Sequence, residues 1–400
     1  MRRIDLKKAQ VARSSTIRGI NRQIVLNYVR DREPISRAEI ARETALQRST
    51  VSTIVEDLKS DGLIEEIGEG ESTGGRRPTL LRLRAAGAMA IGVDITPTCT
   101  TIATSDLGGR VLEREEFPHI EQPEQLYARV IESVRRLAAK AGERKIEGVG
   151  VSLPGLVDPD SGRAVYIPWF NWRDWPIAAE ISAATGLDVI VDNDANAAAL
   201  AALWFGRQEL REARDFIMVL VAEGIGTGIV VDGQIYRGER GGAGEFGHMI
   251  VGERGPVACS CGNHDCWEAF ASGRAAVARY LQNGDESFDG GGRINFAQVV
   301  DRALAGEARA IRALNETAHY LGIGISNLIV GLSPEAVVVG GVISRAWPLV
   351  ADALSETIAR SVRRGLPSAR IMPSILGDHP TLMGAISLVL ARKFASVAGA

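Results

Sequence analysis

The stretch AIGVDITPTCTTIATSDLGGRVLERE, residues 90–115, reads as strand, turn, strand, Gly-Gly turn and strand. The runs AIGVDIT and TTIATSD are rich in aliphatic and β-branched residues, and Gly108-Gly109 parts the second from RVLERE, the pattern of successive hairpins. The same arrangement returns at Phe216 as FIMVLVAEG, GIVVD, Gly233 and QIYRG. Placing Asp106 over Asp232 brings the two hairpins into register at an offset of 126 residues. We read a weak internal duplication, with one β-rich start in each of two lobes.

Between and after these hairpins, strand-like runs such as GVGVSLPG, LDVIVDN and AVVVGGVI alternate with Ala-rich helical stretches such as NAAALAALWFG. Such alternation predicts α/β lobes with helices packed on sheets. Two lobes headed by hairpins resemble the actin-like, ribonuclease H-like fold, which closes around a ligand in its central cleft. The longest uncharged run, between Glu316 and Glu335, contains His319, Asn327, Pro334 and several glycines. It is expected to be a buried helix followed by a strand, not a membrane span.

Upstream, residues 1–84 predict a different, α+β domain. Ile17, Ile20, Ile24, Val25 and Tyr28 have the spacing of one buried helix face. Ser36 and Glu39 form a capping box, with Ile35 and Ile40 at hydrophobic-staple positions, so a second helix starts at Ser36. After Thr44-Ala45-Leu46, a third helix places Val51, Ile54, Val55 and Leu58 inward and ends before Gly62; Gln47 is its expected N-cap. Residues 63–84 then read as two strands around a Gly-rich loop, completing a winged helix-turn-helix. Arg48, Ser49, Thr50, Ser52 and Thr53 are the expected base and phosphate contacts in the major groove, and Arg76 and Arg77 of the wing are expected in the minor groove.

Charge agrees with that division. The 400 residues carry a formal net charge of −3, yet residues 1–84 hold 17 basic and 12 acidic side chains, against 29 and 37 in residues 85–400. A basic head on an acidic body suits binding to a polyanion. Asp5, Lys7 and Lys8 interrupt any apolar run after the first basic residues, so no secretory signal is expected and the chain should stay in the cytoplasm.

Three of the four cysteines, Cys259, Cys261 and Cys266, fall within eight residues. With one imidazole they suit a closed tetrahedral zinc site that organises a loop. On spacing alone, His248 or His264 could be the fourth ligand. Trp169, Phe170, Trp172 and Trp175 are read as core packing, Cys99 as a buried hydrophobe, and Asp158 as the holder of a turn.

The order of GRRP (75–78), LPGLVD (153–158), DNDANAAAL (192–200), EFGH (245–248), CSCGNHDCWE (259–268) and VVVGG (337–341) closely resembles the ROK family of repressors, open reading frames and kinases, in its repressor branch with an N-terminal winged helix. The resemblance spans nearly the whole chain. It implies a winged helix-turn-helix domain at 1–84 and a two-lobed sugar-binding domain at 85–400, with the zinc loop at 248–268. The implied zinc ligands are His248, Cys259, Cys261 and Cys266, and the implied sugar-binding residues are Asn193, Asp194, Glu245, His248 and Glu268.

In kinase members the aspartate matching Asp194 is the general base, and an Asp-x-Gly-Gly-Thr loop cradles phosphate. Here that loop reads Asp94-Ile95-Thr96-Pro97-Thr98, where Thr96 adds a Cβ and Pro97 removes a donor. Gly224, Gly226 and Gly228 persist, preceded by Glu223, as do Gly340 and Gly341. The expectation is a regulator, not an enzyme: a sugar-responsive repressor that binds a double-stranded operator as a homodimer or homotetramer and takes a monosaccharide or sugar phosphate as effector. A hexose kinase with an added DNA-binding head and a regulator controlled by a protein partner are the competing readings.

Overall fold

A computed structural model describes residues 14–71, 77–211, 213–282, 294–362 and 365–394. The head comprises α1 (Ser14–Arg32), β1 (Ile35–Ser36), α2 (Arg37–Thr44), α3 (Arg48–Ser60), β2 (Ile64–Glu69) and β3 (Thr79–Leu83). The expected capping box forms in both directions: Ser36 N donates to Glu39 Oε2 at 2.9 Å, and Glu39 N donates to Ser36 Oγ at 3.3 Å. Ile35 and Ile40 are both buried beside it. Gln47 stands at the N-cap of α3 in extended conformation without a side-chain cap bond, and Gly62 follows the helix with φ +70°.

The buried face of α1 differs from the spacing-based one. Val25, Leu26 and Val29 are fully buried and Ile17 is exposed. The reason is that α1 packs against two bodies at once, its own head and the C-terminal helix, so its apolar stripe is turned toward the seam between them.

The first lobe runs through β4 (Ala88–Ile95), β5 (Cys99–Asp106), β6 (Val111–Pro118), α4 (Pro123–Ala139), β7 (Lys145–Leu153), β8 (Leu156–Asp158), β9 (Arg163–Ile167), β10 (Trp172–Trp175), α5 (Ile177–Thr185), β11 (Val189–Asn193), α6 (Asp194–Phe205) and α7 (Gln208–Arg211). The second contains β12 (Phe216–Val221), β13 (Ile225–Val231), β14 (Gln234–Ile235), α8 (Trp267–Ala271), α9 (Gly273–Gln282), α10 (Phe296–Leu304), α11 (Ala308–Leu332), β15 (Ala336–Gly340), α12 (Trp347–Ser361), β16 (Arg370–Pro373) and α13 (Pro380–Phe394).

Each lobe is built on a five-stranded sheet, with orders β11-β7-β4-β5-β6 and β14-β13-β12-β15-β16. Counted from each lobe's first strand, the two orders are the same. Three antiparallel strands from consecutive hairpins lie to one side, and two parallel strands to the other. The duplication read from the hairpins therefore extends through both sheets. Strands β4, β12 and β15 are buried along their whole length, as strands covered on both faces must be, and this is why they read as continuous apolar runs.

The last helix returns to the first lobe. A Cβ on Gly150 of β7 would collide with the carbonyl oxygen of Ala385, and one on Gly384 would collide with the backbone of Ala197. Glycine at these positions lets α13 lie on the sheet and against the Ala-rich α6 at backbone contact. The two helices run the same way. Asp194 and Thr381, at their N-termini, line the cleft between the lobes. Trp204 and Phe394, at their C-termini, meet with ring centroids 5.7 Å apart. There they meet the head: Asn27 Nδ2 donates to Phe394 O at 2.8 Å, and the Arg30 guanidinium lies 4.2 Å from the Trp204 ring and 5.0 Å from the Phe394 ring.

Candidate functional site

The cleft has a volume of about 610 Å³ and is lined from both lobes, within the size range of small-molecule sites. All five of Asn193, Asp194, Glu245, His248 and Glu268 lie along it. Asn193 caps α6, its Oδ1 accepting from Ala195 N (2.9 Å) and Asn196 N (3.2 Å), while its Nδ2 donates to Gly155 O (3.0 Å). Its second Nδ2–H has no partner among the described residues. Asp194 opens α6 and accepts from Ala195 N at 2.8 Å. Burial pushes its pKa up to about 7, with the charges of Asp94 and Glu245 pushing the same way.

Asp94, at the end of β4, is 2% exposed and accepts from Thr381 Oγ1 at 2.6 Å. Burial raises its pKa to about 6 against that hydrogen bond. Asp192 is also buried, and receives Nε–H of Arg237 at 2.8 Å across the lobes. Asp94 is the residue that opens the phosphate-loop position in the sequence, whereas Asp192 and Arg237 are not among the residues expected at the site. Asp192 stands next to the Asn-Asp pair, and its place at the end of an apolar strand was the available signal.

Glu268 is buried and fully engaged. Its Oε1 accepts from Ser260 N (2.7 Å) and Arg274 Nη2 (3.1 Å), and its Oε2 accepts from Ile225 N (3.3 Å). It thereby ties the cysteine loop to the second hairpin. The loop is closed by Cys259 N donating to Asn263 O and Gly262 N to Cys259 O, and an isolated bridge joins Ile250 to Cys266.

His248, Cys259, Cys261 and Cys266 form a group able to hold a metal ion, with their ligand atoms all within 4.8 Å of one another. His248 Nδ1 lies 3.2 Å from Cys259 Sγ, and Cys261 Sγ lies 3.6 Å from Cys266 Sγ. A tetrahedral ion about 2.3 Å from each sulfur and about 2.0 Å from nitrogen needs separations of about 3.5–3.8 Å. None of the four cysteines is in a disulfide. His264 is exposed and is not in the group, so of the two candidate histidines the geometry brings His248 to the sulfurs. Its other nitrogen, Nε2, lies 3.4 Å from Glu245 Oε2.

The loop after Asp94 is folded on itself. Thr96 Oγ1 accepts from Cys99 N (3.1 Å) and Thr98 N (3.4 Å) and donates to Cys99 O (2.8 Å). Gly226 and Gly228 face α6 at distances a Cβ would violate, and Gly341 turns with φ +90° beneath the Val221 carbonyl. Chain packing thus accounts for these glycines.

One reading is corrected. Cys99 is half-buried and lines the cleft, because the Thr96 turn opens it to one side. Trp172 is buried in the first-lobe core, Phe170 and Trp175 pack against it half-buried, and Trp169 does so too while also lining the cleft. Asp158 holds its turn, accepting from Asp160 N and Ser161 Oγ.

On α3, Arg48, Ser49, Ser52 and Thr53 are exposed and Thr50 half-buried, opposite the buried Val51, Ile54, Val55 and Leu58. Arg77 is exposed; Arg76 lies outside the described residues. Arg37 and Lys59 are occupied by Glu56 and Glu66, whereas Arg48 and Arg77 have no ion pair among the described residues.

A winged helix carried on a two-lobed α/β body with a cleft between the lobes defines a transcriptional regulator. The ROK family model matches residues 90–392 and a MarR family model residues 24–77; the chain belongs to the ROK family, as one of its winged-helix transcriptional regulators. It is 29% identical over 385 residues to the xylose repressor of Bacillus subtilis, covering 95% of this chain and 97% of that protein. A ROK family transcriptional regulator homologous to the E. coli MLC protein superposes with a TM-score of 0.77 at 26% identity, over 94% of this chain and 97% of that one. A ROK family glucokinase from Streptomyces griseus, in complex with glucose and AMPPNP, superposes with a TM-score of 0.66 at 31% identity, over 75% of this chain and 99% of its own. The regulators match head and body, the kinase three quarters of this chain. Among the described residues, no helix is long and apolar enough to cross a membrane.

Proposed function

We propose that this regulator is a cytoplasmic, sugar-responsive repressor of carbohydrate genes whose effector, a monosaccharide or sugar phosphate, binds between the lobes. The observation that carries the reading is that α6 and α13 both start in the cleft and both end on the head. At 1.5 Å per residue they are rods of about 18 and 22 Å. A ligand that moves their N-termini shifts the seat of the DNA-reading domain. The head is residues 1–84 and the sugar-binding body 85–400, with dimer or tetramer formation pairing two heads on one operator.

The site chemistry suits hydroxyl groups. Asp194 and Glu245 accept, Asn193 donates through its remaining Nδ2–H, and Glu268 holds the floor of the site in place. His248 would bind zinc through Nδ1 with Cys259, Cys261 and Cys266, which leaves Nε2–H to donate toward Glu245 and the cleft. Zinc would be structural, fixing a loop that has too few apolar residues to fold tightly by packing alone. Arg48, Ser49, Thr50, Ser52 and Thr53 would read the major groove, and Arg76 and Arg77 the minor groove.

A kinase reading draws on Asp194, whose raised pKa suits a general base. The Thr96 turn speaks against it. The N–H groups that could cradle a phosphate are turned onto the Thr96 hydroxyl, Pro97 has none, and Glu223 adds a carboxylate to the same cleft.

Fluorescence anisotropy on an operator selected from random duplexes, with D-xylose, D-glucose and N-acetyl-D-glucosamine as probes, tests the proposal. We expect at least one sugar to change operator affinity about fivefold or more, the usual lower range of coupling. No change with any sugar, together with no sugar-dependent melting shift, would overturn it.

A further inference from the structure

We propose that Trp169 is the wall of the effector site against which the C–H face of a pyranose ring stacks, and that Arg274 holds this wall from the opposite lobe. The inference rests on the sugar-responsive reading above. Trp169 stands in the single-turn segment Pro168–Phe170 of the first lobe and lines the same cleft as Asn193 and Asp194. Arg274 belongs to α9 of the second lobe, and its guanidinium carbon lies 4.6 Å from the centroid of the Trp169 ring. Arg274 is not itself part of the cleft lining. The guanidinium covers one face of the indole, so the ring's other face is the one that a ligand stacked on this wall would meet.

Arg274 has little freedom to swing away. Its Nε–H donates to the Glu223 carbonyl oxygen at 3.0 Å and its Nη2–H to Glu268 Oε1 at 3.1 Å. The same Glu268 oxygen accepts from Ser260 N, between two of the cluster's cysteines. The wall is thus fixed by the cysteine loop of one lobe although it grows from the other. Among the described aromatic residues along the cleft, it is the one held in this way; the cation over Tyr166 comes from Arg173 of its own lobe.

A pyranose offers two kinds of surface. Its hydroxyl rim needs donors and acceptors, which Asn193, Asp194, Glu245 and His248 supply. Its C–H faces are apolar and weakly positive, and the negative face of an indole complements them. An acyclic alditol carries the same kind of hydroxyl groups without a fixed C–H face. Because wall and clamp come from different lobes, a ring stacked on Trp169 favours the arrangement in which the lobes are together.

Calorimetric titration of the full chain with D-xylose, D-glucose, xylitol and sorbitol tests this, using Trp169→Ala, Trp169→Leu and Trp169→Phe. Leucine keeps the site apolar and phenylalanine keeps it aromatic, and sugar-free melting checks each fold. For any aldose the wild type binds in preference to its alditol, we expect Trp169→Ala and Trp169→Leu to weaken binding at least tenfold and Trp169→Phe to stay within threefold. Affinity within twofold of wild type in both the alanine and leucine variants would overturn the role of Trp169 and leave the sugar-responsive reading intact. A wild-type chain that binds neither these sugars nor N-acetyl-D-glucosamine would overturn that reading as well.

Discussion

The guanidinium carbon of Arg30, in the first helix of the head, lies 4.2 Å from the ring centroid of Trp204, at the end of the helix that begins with Asp194. Phe394 flanks the same guanidinium at 5.0 Å. Cation–π contacts contribute about 0.5–2 kcal/mol, close to the 1–3 kcal/mol typical of coupling between two sites. Removing this contact is therefore expected to erase much of the response. In Arg30→Ala, sugar affinity should stay within about twofold, while the sugar-induced change in operator affinity falls at least threefold. Paired calorimetry and anisotropy measure both. A full response in the variant would show that the signal travels elsewhere.

Two carboxylates of the cleft, the buried Asp94 and the half-buried Asp194, set a pH dependence. Burial lifts Asp194 to about 7 and Asp94 to about 6, from an ordinary value of 3.8. Between about pH 4 and 7 the folded chain holds more protons at these sites than the unfolded chain does. Stability from this source accordingly falls as pH rises through that window, by at most about 1.4 kcal/mol per pH unit per group. Asp194→Asn removes one such group. It should melt above wild type at pH 8 and lose that advantage at pH 5; parallel profiles would count against the assignment. The same variant is expected to bind operator normally and ignore sugar.

Much of this was legible in the sequence because local chemistry and tertiary packing agreed. Ser36 and Glu39 cap a helix through bonds that span three residues, and the hairpins at Ala90 and Phe216 announce two sheets by their aliphatic and β-branched runs and the glycine turns between them. Contacts made across the chain were not legible. Leu26 and Val29 are buried because α13 arrives from the far end of the sequence, and no local spacing encodes that. Trp169 looked like core because a Trp-rich run usually is, and the arginine that covers its ring lies more than a hundred residues away. The cysteine spacing fixed the loop but left His248 and His264 equivalent; the resemblance to the ROK motifs implied His248, and the fold brings that one to the sulfurs.

Metal removal offers a direct check on the cysteine cluster. Full-length protein should carry one zinc per chain by elemental analysis. Chelation or Cys266→Ser should lower the melting temperature by roughly 5–10 °C, as loss of a few kcal/mol would in a body of this size. Because Ser260 N holds Glu268, sugar affinity should fall in the same samples. Metal-free protein with unchanged melting and sugar binding would refute a structural ion.

Contacts to DNA separate by type. Arg48 opens α3 and is exposed without an ion pair among the described residues. Arg48→Ala should cost about 1–3 kcal/mol of operator binding and relax preference at one base position. Arg77→Ala, as loss of a minor-groove contact drawn by groove width and potential and not by a base-specific pair, should weaken binding to operator and random duplex alike and reduce the slope of log affinity against log salt by about 1. Equal losses on operator and random duplex in both variants would place neither side chain at a base.

The folded loop after Asp94 makes the last prediction. Phosphoryl transfer needs backbone donors preset around the phosphate before reaction, since most of its catalysis is positioning and charge stabilisation. In this chain the Thr96 hydroxyl already accepts from Thr98 N and Cys99 N, and a nucleotide would have to break both bonds to use those groups. With magnesium-ATP and D-glucose, D-xylose or N-acetyl-D-glucosamine, ADP release should stay at background. Turnover above about 1 s⁻¹, within the range of ordinary enzymes, would mean that the turn rearranges on nucleotide binding and that the cleft is an active site as well as a sensor. Background turnover accompanied by a sugar-dependent melting shift is the result expected of a cleft that keeps its hydroxyl partners after losing its phosphate donors.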